Sequence, residues 1–164
     1  MYQDLALFDN LTPGQNFFAG REEAGPAWLP RGLRFLRQKQ MDAQAEALLQ
    51  RLGVTLPRLD TVVATMSGGQ RQAIAVARSA MFAKKVVILD EPTAAPGQRE
   101  SGEMLNLVAR LRDQGSAVIL ITHNMDHVIQ LADRAMVLRQ GRKVGEIVPN
   151  PDARQEIVAM IVGA

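Results

Sequence analysis

Val86-Val87-Ile88-Leu89-Asp90-Glu91-Pro92 is a run of four aliphatic residues that ends in two carboxylates and a proline. An unbroken apolar run of that length is expected of a parallel strand covered on both faces, and Pro92 forces a loop after it. A second such run, Val118-Ile119-Leu120-Ile121, ends in Thr122-His123. Between the two, Met104, Leu105, Val108 and Leu111 recur at helical spacing and stop at Gly115. Strand, helix and strand in that order predict an α/β architecture with a mainly parallel sheet. Ligands of such sheets bind beyond the carboxyl ends of the strands, which singles out Asp90, Glu91 and His123.

Upstream, Ser67-Gly68-Gly69-Gln70 fits a capping box, with a Ser oxygen taking an amide of the first turn and the Gln side chain reaching back. The helix it opens carries Ile74, Ala77, Ala80 and Met81 as its expected buried stripe. Two successive glycines at a helix N-terminus let a phosphate approach the backbone amides closely; the plain alternative is an ordinary capped helix. Further back, Met41, Ala45, Leu48, Leu49 and Leu52 predict a helix over Met41–Leu52 ending at Gly53. The stretch from Leu5 to Arg31, rich in Gly and Pro, reads as loops around a short helix near Pro13–Ala19. Downstream, Asn124–Ala132 is a short helix. Ala135–Leu138 and Lys143–Val148, separated by Gln140-Gly141-Arg142, form a hairpin. Asn150-Pro151 opens a last helix bearing Ile157, Val158 and Ile161.

Composition narrows the class of function. In 164 residues, 47% hydrophobic and 22% charged residues describe a globular domain, not a disordered chain. Lys+Arg 19 against Asp+Glu 17 leaves a formal charge of only +2, so nucleic acid loses its best support as a partner. With Cys 0, thiolate and disulfide chemistry are excluded, in keeping with the cytoplasm. The apolar runs fall far short of the roughly 18 residues that span a bilayer, and Met1-Tyr2-Gln3-Asp4-Leu5 lacks the basic start of a signal peptide.

An Asp fixed at a strand end can hold Mg²⁺, and a Glu beside it can orient an attacking water; the plain alternative is that both merely begin a loop. His123 and His127, four apart, have a metal-binding spacing, but Asn124 stands where a zinc protease needs Glu and no third ligand is evident. His127 is therefore expected to face solvent. Met66, Met81, Met104, Met125 and Met136 read as core or interface filler.

The order of these pieces is more specific than any one of them. Tyr2-Gln3-Asp4, Met66-Ser67-Gly68-Gly69-Gln70-Arg71-Gln72, Val86 to Thr93 and Ile121-Thr122-His123 together resemble the ATP-binding cassette ATPases from Tyr2 to about Val148. Gln3 to Leu11 and Ala94-Ala95-Pro96-Gly97 look most like the ATPase subunits of bacterial carbohydrate importers. The resemblance implies a P-loop NTPase-like, incomplete nucleotide-binding domain. Its helical subdomain with the signature motif would span about 10–82, its core about 83–148 and its C-terminal helix about 149–164. It implies ATP and Mg²⁺ as cofactors, a second nucleotide-binding domain and a transmembrane permease subunit as partners, and a peripheral place on the inner face of the cell membrane. By the same resemblance Gln3 touches Mg²⁺ or the attacking water, and Ser67, Gly68, Gly69 and Gln70 bind the γ-phosphate of the partner's ATP. Asp90 holds Mg²⁺, Glu91 is the general base, Ala94–Gly97 form the D-loop and His123 is the switch histidine.

Three positions depart from the family pattern. Met66 replaces a leucine at similar volume. Pro96 replaces a leucine in the D-loop, and its fixed φ would stiffen communication between sites. No glycine is followed by lysine, so the phosphate-cradling G-x-x-x-x-G-K-[ST] is not in this sequence, and two residues precede Gln3 where the family carries it. The expectation is a C-terminal portion of a longer cassette that is inactive alone, with strand edges and core faces left open. The competing readings are a non-catalytic interaction module or inert product, and a soluble cassette protein of DNA repair or translation.

Overall fold

The computed structural model describes residues 6–25, 28, 35–56, 58–83, 85–93 and 98–163. Helix α1 (Pro13–Phe18) is short but firmly started: Thr12 Oγ1 accepts from the Gln15 amide and Gln15 Oε1 accepts from the Thr12 amide, with Pro13 pre-set in the first turn. Helix α2 spans Gln38–Arg51, three residues earlier than Met41, because Gln38-Lys39-Gln40 are good helix formers and Gln38 Nε2 donates to Asp42 Oδ1 at 2.8 Å. A 3₁₀ turn at Val63–Thr65 leads into α3 (Gly68–Phe82), which is followed by β1 (Val86–Asp90), α4 (Gln98–Asp113) and β2 (Ala117–Ile121). The chain then continues through α5 (Met125–Leu131), β3 (Ala135–Arg139), β4 (Arg142–Ile147), a 3₁₀ turn at Pro151–Ala153 and α6 (Arg154–Val162).

The chain divides into two compact units, residues 1–119 and 120–164. In the first, α1, α2 and α3 pack together around Phe17, Phe18, Met41, Leu48, Leu49, Leu52, Val63 and Ile74, all buried. Phe18 meets Phe82 edge-on at 6.0 Å, and the Arg21 guanidinium lies 4.5 Å from the Phe82 ring centre, joining α1 to the end of α3. The buried side of α3 is Ile74, Ala75, Val76 and Ala77; Ala80 and Met81 are only half-buried, so the stripe lies nearer the N-terminus than its spacing suggested. Met104, Leu105, Leu107, Val108 and Leu111 make the buried side of α4, and Gly115 ends the turn after it at φ +86°.

β1 and β2 pair in one parallel sheet, with the Ala117 amide donating to the Lys85 carbonyl at 2.9 Å. The expectation that both faces of β1 are covered is corrected. Val87 and Leu89 are buried, on the strand that contacts α3, whereas Val86 and Ile88 are 48% and 50% exposed.

In the second unit β3 and β4 form an antiparallel hairpin. Its two-residue turn, Gln140-Gly141, has both φ angles positive (+50° and +74°), a twist that matches the strands; Arg142 belongs to β4. Helix α6 packs on the hairpin, burying Val137, Ala153 and Ile157 with Met125, Ile147 and Met160 partly covered against them. Gly145 makes room for Met160, whose Sδ lies 2.2 Å from where a Cβ would stand. Val158 and Ile161 remain largely open, and Met136 is 55% exposed, so Met136 is not core filler here.

Candidate functional site

The N-terminus of α3 is built by its own sequence. Ser67 Oγ accepts from the Gln70 amide at 3.2 Å and Gln70 Oε1 accepts from the Ser67 amide at 2.9 Å, closing the expected capping box. A hydroxyl that accepts this bond keeps its own proton to donate, and the Gln70 carboxamide keeps both N–H donors. The Gly68 and Gly69 amides, first in the helix, have no carbonyl within it to bond, so these donors sit together with the Ser67 hydroxyl and the Gln70 carboxamide in one turn. The two glycines differ. A Cβ on Gly68 would meet nothing within 4 Å, while one on Gly69 would stand 3.0 Å from Glu100 Cδ. Gly69 is therefore small for packing, whereas the space beside Gly68 is open.

Asp90 closes β1 and Glu91 follows it at φ +45°, a left-handed backbone that a glutamate adopts only when its surroundings hold it there. Pro92, fully buried, anchors that turn. Both carboxylates are half-buried at the strand end, as the sheet rule requires. His123 lies two residues beyond β2, in the second unit, and is exposed. The Thr122 hydroxyl accepts from the Asn124 amide at 3.1 Å, and Asn124 Oδ1 accepts from the Asp126 amide at 2.9 Å to cap α5. His127 is not solvent-facing. It is 9% exposed, with Nε2 3.1 Å from Asn124 Nδ2, because one turn of α5 brings it back onto its own cap. The structure thus gathers Ser67–Gln70 into one cluster and Asp90 with Glu91 into another. Gln3 and Ala94–Gly97 lie outside the described residues.

Sequence reading missed what holds the loop after Gln3. Asn16, 0% exposed, donates through Nδ2 to the carbonyls of Phe8, Leu11 and Thr12 at 2.9, 3.3 and 3.1 Å, and its Oδ1 accepts from the Phe8 amide at 2.7 Å. That loop is tied in turn to α3, by Arg71 to Asp9 and by Arg78 Nη1 to the Ala6 carbonyl at 2.7 Å. The signal for Asn16 was present, since Asn is a poor residue for a helix interior unless its amide has other work.

Residues 1–94 match the family model described as ABC transporter. The chain belongs to the ABC transporter family. It is 44% identical over 165 residues to the fructose import ATP-binding protein of Rhizobium meliloti, covering 100% of this chain and 64% of that protein. It is 36% identical over 163 residues to the ribose import ATP-binding protein of Yersinia pestis, covering 99% of this chain and 31% of that one. The chain therefore spans less than two thirds of these relatives. A solved nucleotide-free ATP-binding cassette from an ABC transporter superposes with a TM-score of 0.72 at 20% identity, over 98% of this chain and 65% of that one, which shows the fold. The mixed α/β, P-loop NTPase-like class is thus established for this ABC chain.

Proposed function

We propose that this chain provides the signature helix and the hydrolytic residues of the ATP-binding subunit of a sugar importer. The observation that carries the reading is the 44% identity to a fructose import ATP-binding protein along the whole chain. In this reading Asp90 holds Mg²⁺, Glu91 draws the proton from the attacking water and His123 serves as the switch histidine. Ser67, Gly68, Gly69 and Gln70 donate to the nucleotide of a second nucleotide-binding domain, and Gln3 touches Mg²⁺ or water. The neighbouring donors at the start of α3 and the held turn at Glu91 fit these roles, since phosphoryl transfer rests on positioning and charge stabilisation. The helical subdomain then covers about 10–82, the core 83–148 and the last helix 149–164. A membrane permease is the other partner, and the chain works at the inner face of the cell membrane.

Because G-x-x-x-x-G-K-[ST] is not in the sequence, the 164-residue chain by itself does not turn over ATP. The test is phosphate release by the purified chain with Mg-ATP, beside Glu91→Gln and beside the chain joined to the portion of the fructose relative that it does not match. The expected result is background release from the first two and Glu91-dependent release from the joined protein. Turnover by the chain alone that vanishes in Glu91→Gln overturns its inactivity. A joined protein that neither binds nor hydrolyses Mg-ATP overturns the functional reading.

A further inference from the structure

Trp28 and Phe35 are 81% and 85% exposed, the most open of the large apolar side chains among the described residues. Both stand at one clip of backbone in the first unit. Ala24 and Leu36 form an antiparallel bridge, the Gly25 amide donates to the Phe35 carbonyl at 2.8 Å, and the Arg37 amide donates to the Glu23 carbonyl at 2.9 Å. Trp28 is three residues from Gly25, so its Cα lies within about 11 Å of the Gly25 Cα. Leu36 beside them is 58% exposed. The charge here is one-sided. From Ala24 to Met41 the sequence has Arg31, Arg34, Arg37 and Lys39 and neither Asp nor Glu, in a chain whose formal charge is only +2. Arg37 and Lys39 are exposed at the N-cap and first turn of α2, a turn with no acidic residue and no side-chain cap. The partial positive charge of a helix N-terminus disfavours cations, so the stability of α2 does not account for them.

We infer that this clip is an interaction surface for an anionic lipid bilayer: Trp28, Phe35 and Leu36 enter the boundary between headgroups and acyl chains, and Arg37 and Lys39 meet lipid phosphates. Exposed aromatic rings beside Lys and Arg suit a membrane interface, because the rings leave water while the cations stay at the level of the headgroups. Each cation near a negatively charged leaflet adds to the attraction, and no carboxylate in the sequence of the clip opposes it. A protein partner is disfavoured by size, since three apolar side chains fall well short of the roughly 800 Å² that each side of a specific protein interface buries. The inference rests on the functional reading above only for the leaflet, because a chain at the inner face of the cell membrane meets anionic headgroups; the aromatic and basic clip does not depend on that reading.

Trp28 is the only tryptophan, so its fluorescence reports on this clip alone. The chain is mixed, without nucleotide, with vesicles of phosphatidylcholine and with vesicles of phosphatidylcholine and phosphatidylglycerol in equal parts. Binding is followed by co-sedimentation and by Trp28 emission. We expect binding to the anionic vesicles, with Trp28 emission moving to shorter wavelength and quenched by bromine placed high on the acyl chains. Arg37→Gln with Lys39→Gln should weaken that binding by about tenfold or more. Arg51→Gln with Arg142→Gln removes the same charge from exposed positions elsewhere and should change it by less than about twofold. Phe35→Ser should weaken binding by about tenfold, whereas Val148→Ser, 69% exposed in the second unit, should leave it unchanged. All these positions are exposed, so the variants keep the fold of the parent chain. Equal binding to neutral and anionic vesicles overturns the inference, as does an equal loss from the two pairs of charge substitutions. So does Trp28 emission that stays at its solvent value while the chain sediments with the vesicles. A chain that binds no vesicle sinks this inference alone; a joined protein that neither binds nor hydrolyses Mg-ATP sinks the functional reading alone.

Discussion

The Arg71 guanidinium meets the Asp9 carboxylate at 2.5 Å, across 62 positions of sequence. Arg71 follows directly on Ser67-Gly68-Gly69-Gln70, and Asp9 sits in the loop that leads away from Gln3. The pair therefore fastens the loop to the first turn of α3, and the Asp9 carbonyl adds a bond from the Ala64 amide at 2.9 Å. Both side chains are partly exposed, so Asp9→Asn should cost less than about 1 kcal/mol of global stability. Its expected signature is local: faster amide exchange over 6–12 and at Arg71, with the rest of α3 unaffected. Hydrogen exchange read by mass spectrometry checks this, and uniform acceleration throughout the first unit would contradict it.

Asn16 is the more costly residue to lose. Asn16→Ala strips four hydrogen bonds from a fully buried carboxamide and leaves the Phe8 amide without its acceptor, while the carbonyls of Phe8, Leu11 and Thr12 keep one backbone donor each, from Leu11, Val63 and residue 16. Destabilisation of about 2–4 kcal/mol is expected, at the upper end for a buried network. Urea denaturation monitored by circular dichroism measures it; a change below that of Asp9→Asn would show that the loop does not depend on Asn16.

Glycine substitutions should separate architecture from binding. Gly53 has φ +62°, and a Cβ there would fall 1.1 Å from Arg110 Nη1, whose neighbouring contact is the Leu52 carbonyl at 2.9 Å. Gly53→Ala is expected to cost about 1–3 kcal/mol through backbone strain and displacement of Arg110. Gly68→Ala meets open space and should change stability by less than about 1 kcal/mol in either direction. If the phosphate-facing reading is right, Gly68→Ala instead weakens nucleotide affinity of the assembled cassette, measured by titration with Mg-ATP. Unaltered affinity would remove Gly68 from the site.

The hairpin carries a pH-sensitive contact. The Glu146 carboxyl is held below the usual glutamate range, chiefly by its hydrogen bond and charge pairing with Lys143 and then by Arg134, 3.0 Å away. A carboxyl depressed in the folded state contributes stability that is present above its unfolded pKa and is lost as pH falls through the folded value. Lys143→Met should therefore raise the Glu146 titration midpoint towards the usual value of about 4.3, and Arg134→Met should raise it less. Carbon-13 NMR of the Glu146 carboxyl follows both; equal shifts would reverse the ranking of the two partners.

Much of the candidate site was legible because it is local. The Ser67/Gln70 capping box and the ends of β1 and β2 follow from residues a few positions apart, and the structure shows them where the sequence placed them; the hairpin turn is shorter than expected by one residue, and Asn124 caps α5 instead of lying within it. His127 was misplaced for the same reason in reverse. Its spacing suggested an outward helix face, but burial depends on the cap it folds back upon. Asp9 with Arg71, and Arg110 with the Leu52 carbonyl, left no trace in periodicity, since their partners lie tens of residues away.

The sequence by itself determined the elements, their order and the motifs at their ends, because apolar spacing, capping pairs and turn residues act within a few positions of the chain. Only the tertiary structure decided which faces those elements finish. Four aliphatic residues from Val86 to Leu89 read as a strand buried on both sides, yet only Val87 and Leu89 are buried, and Val86 and Ile88 are left half open. Burial is a property of what packs against a strand, and hydrophobicity states only what the strand can accept.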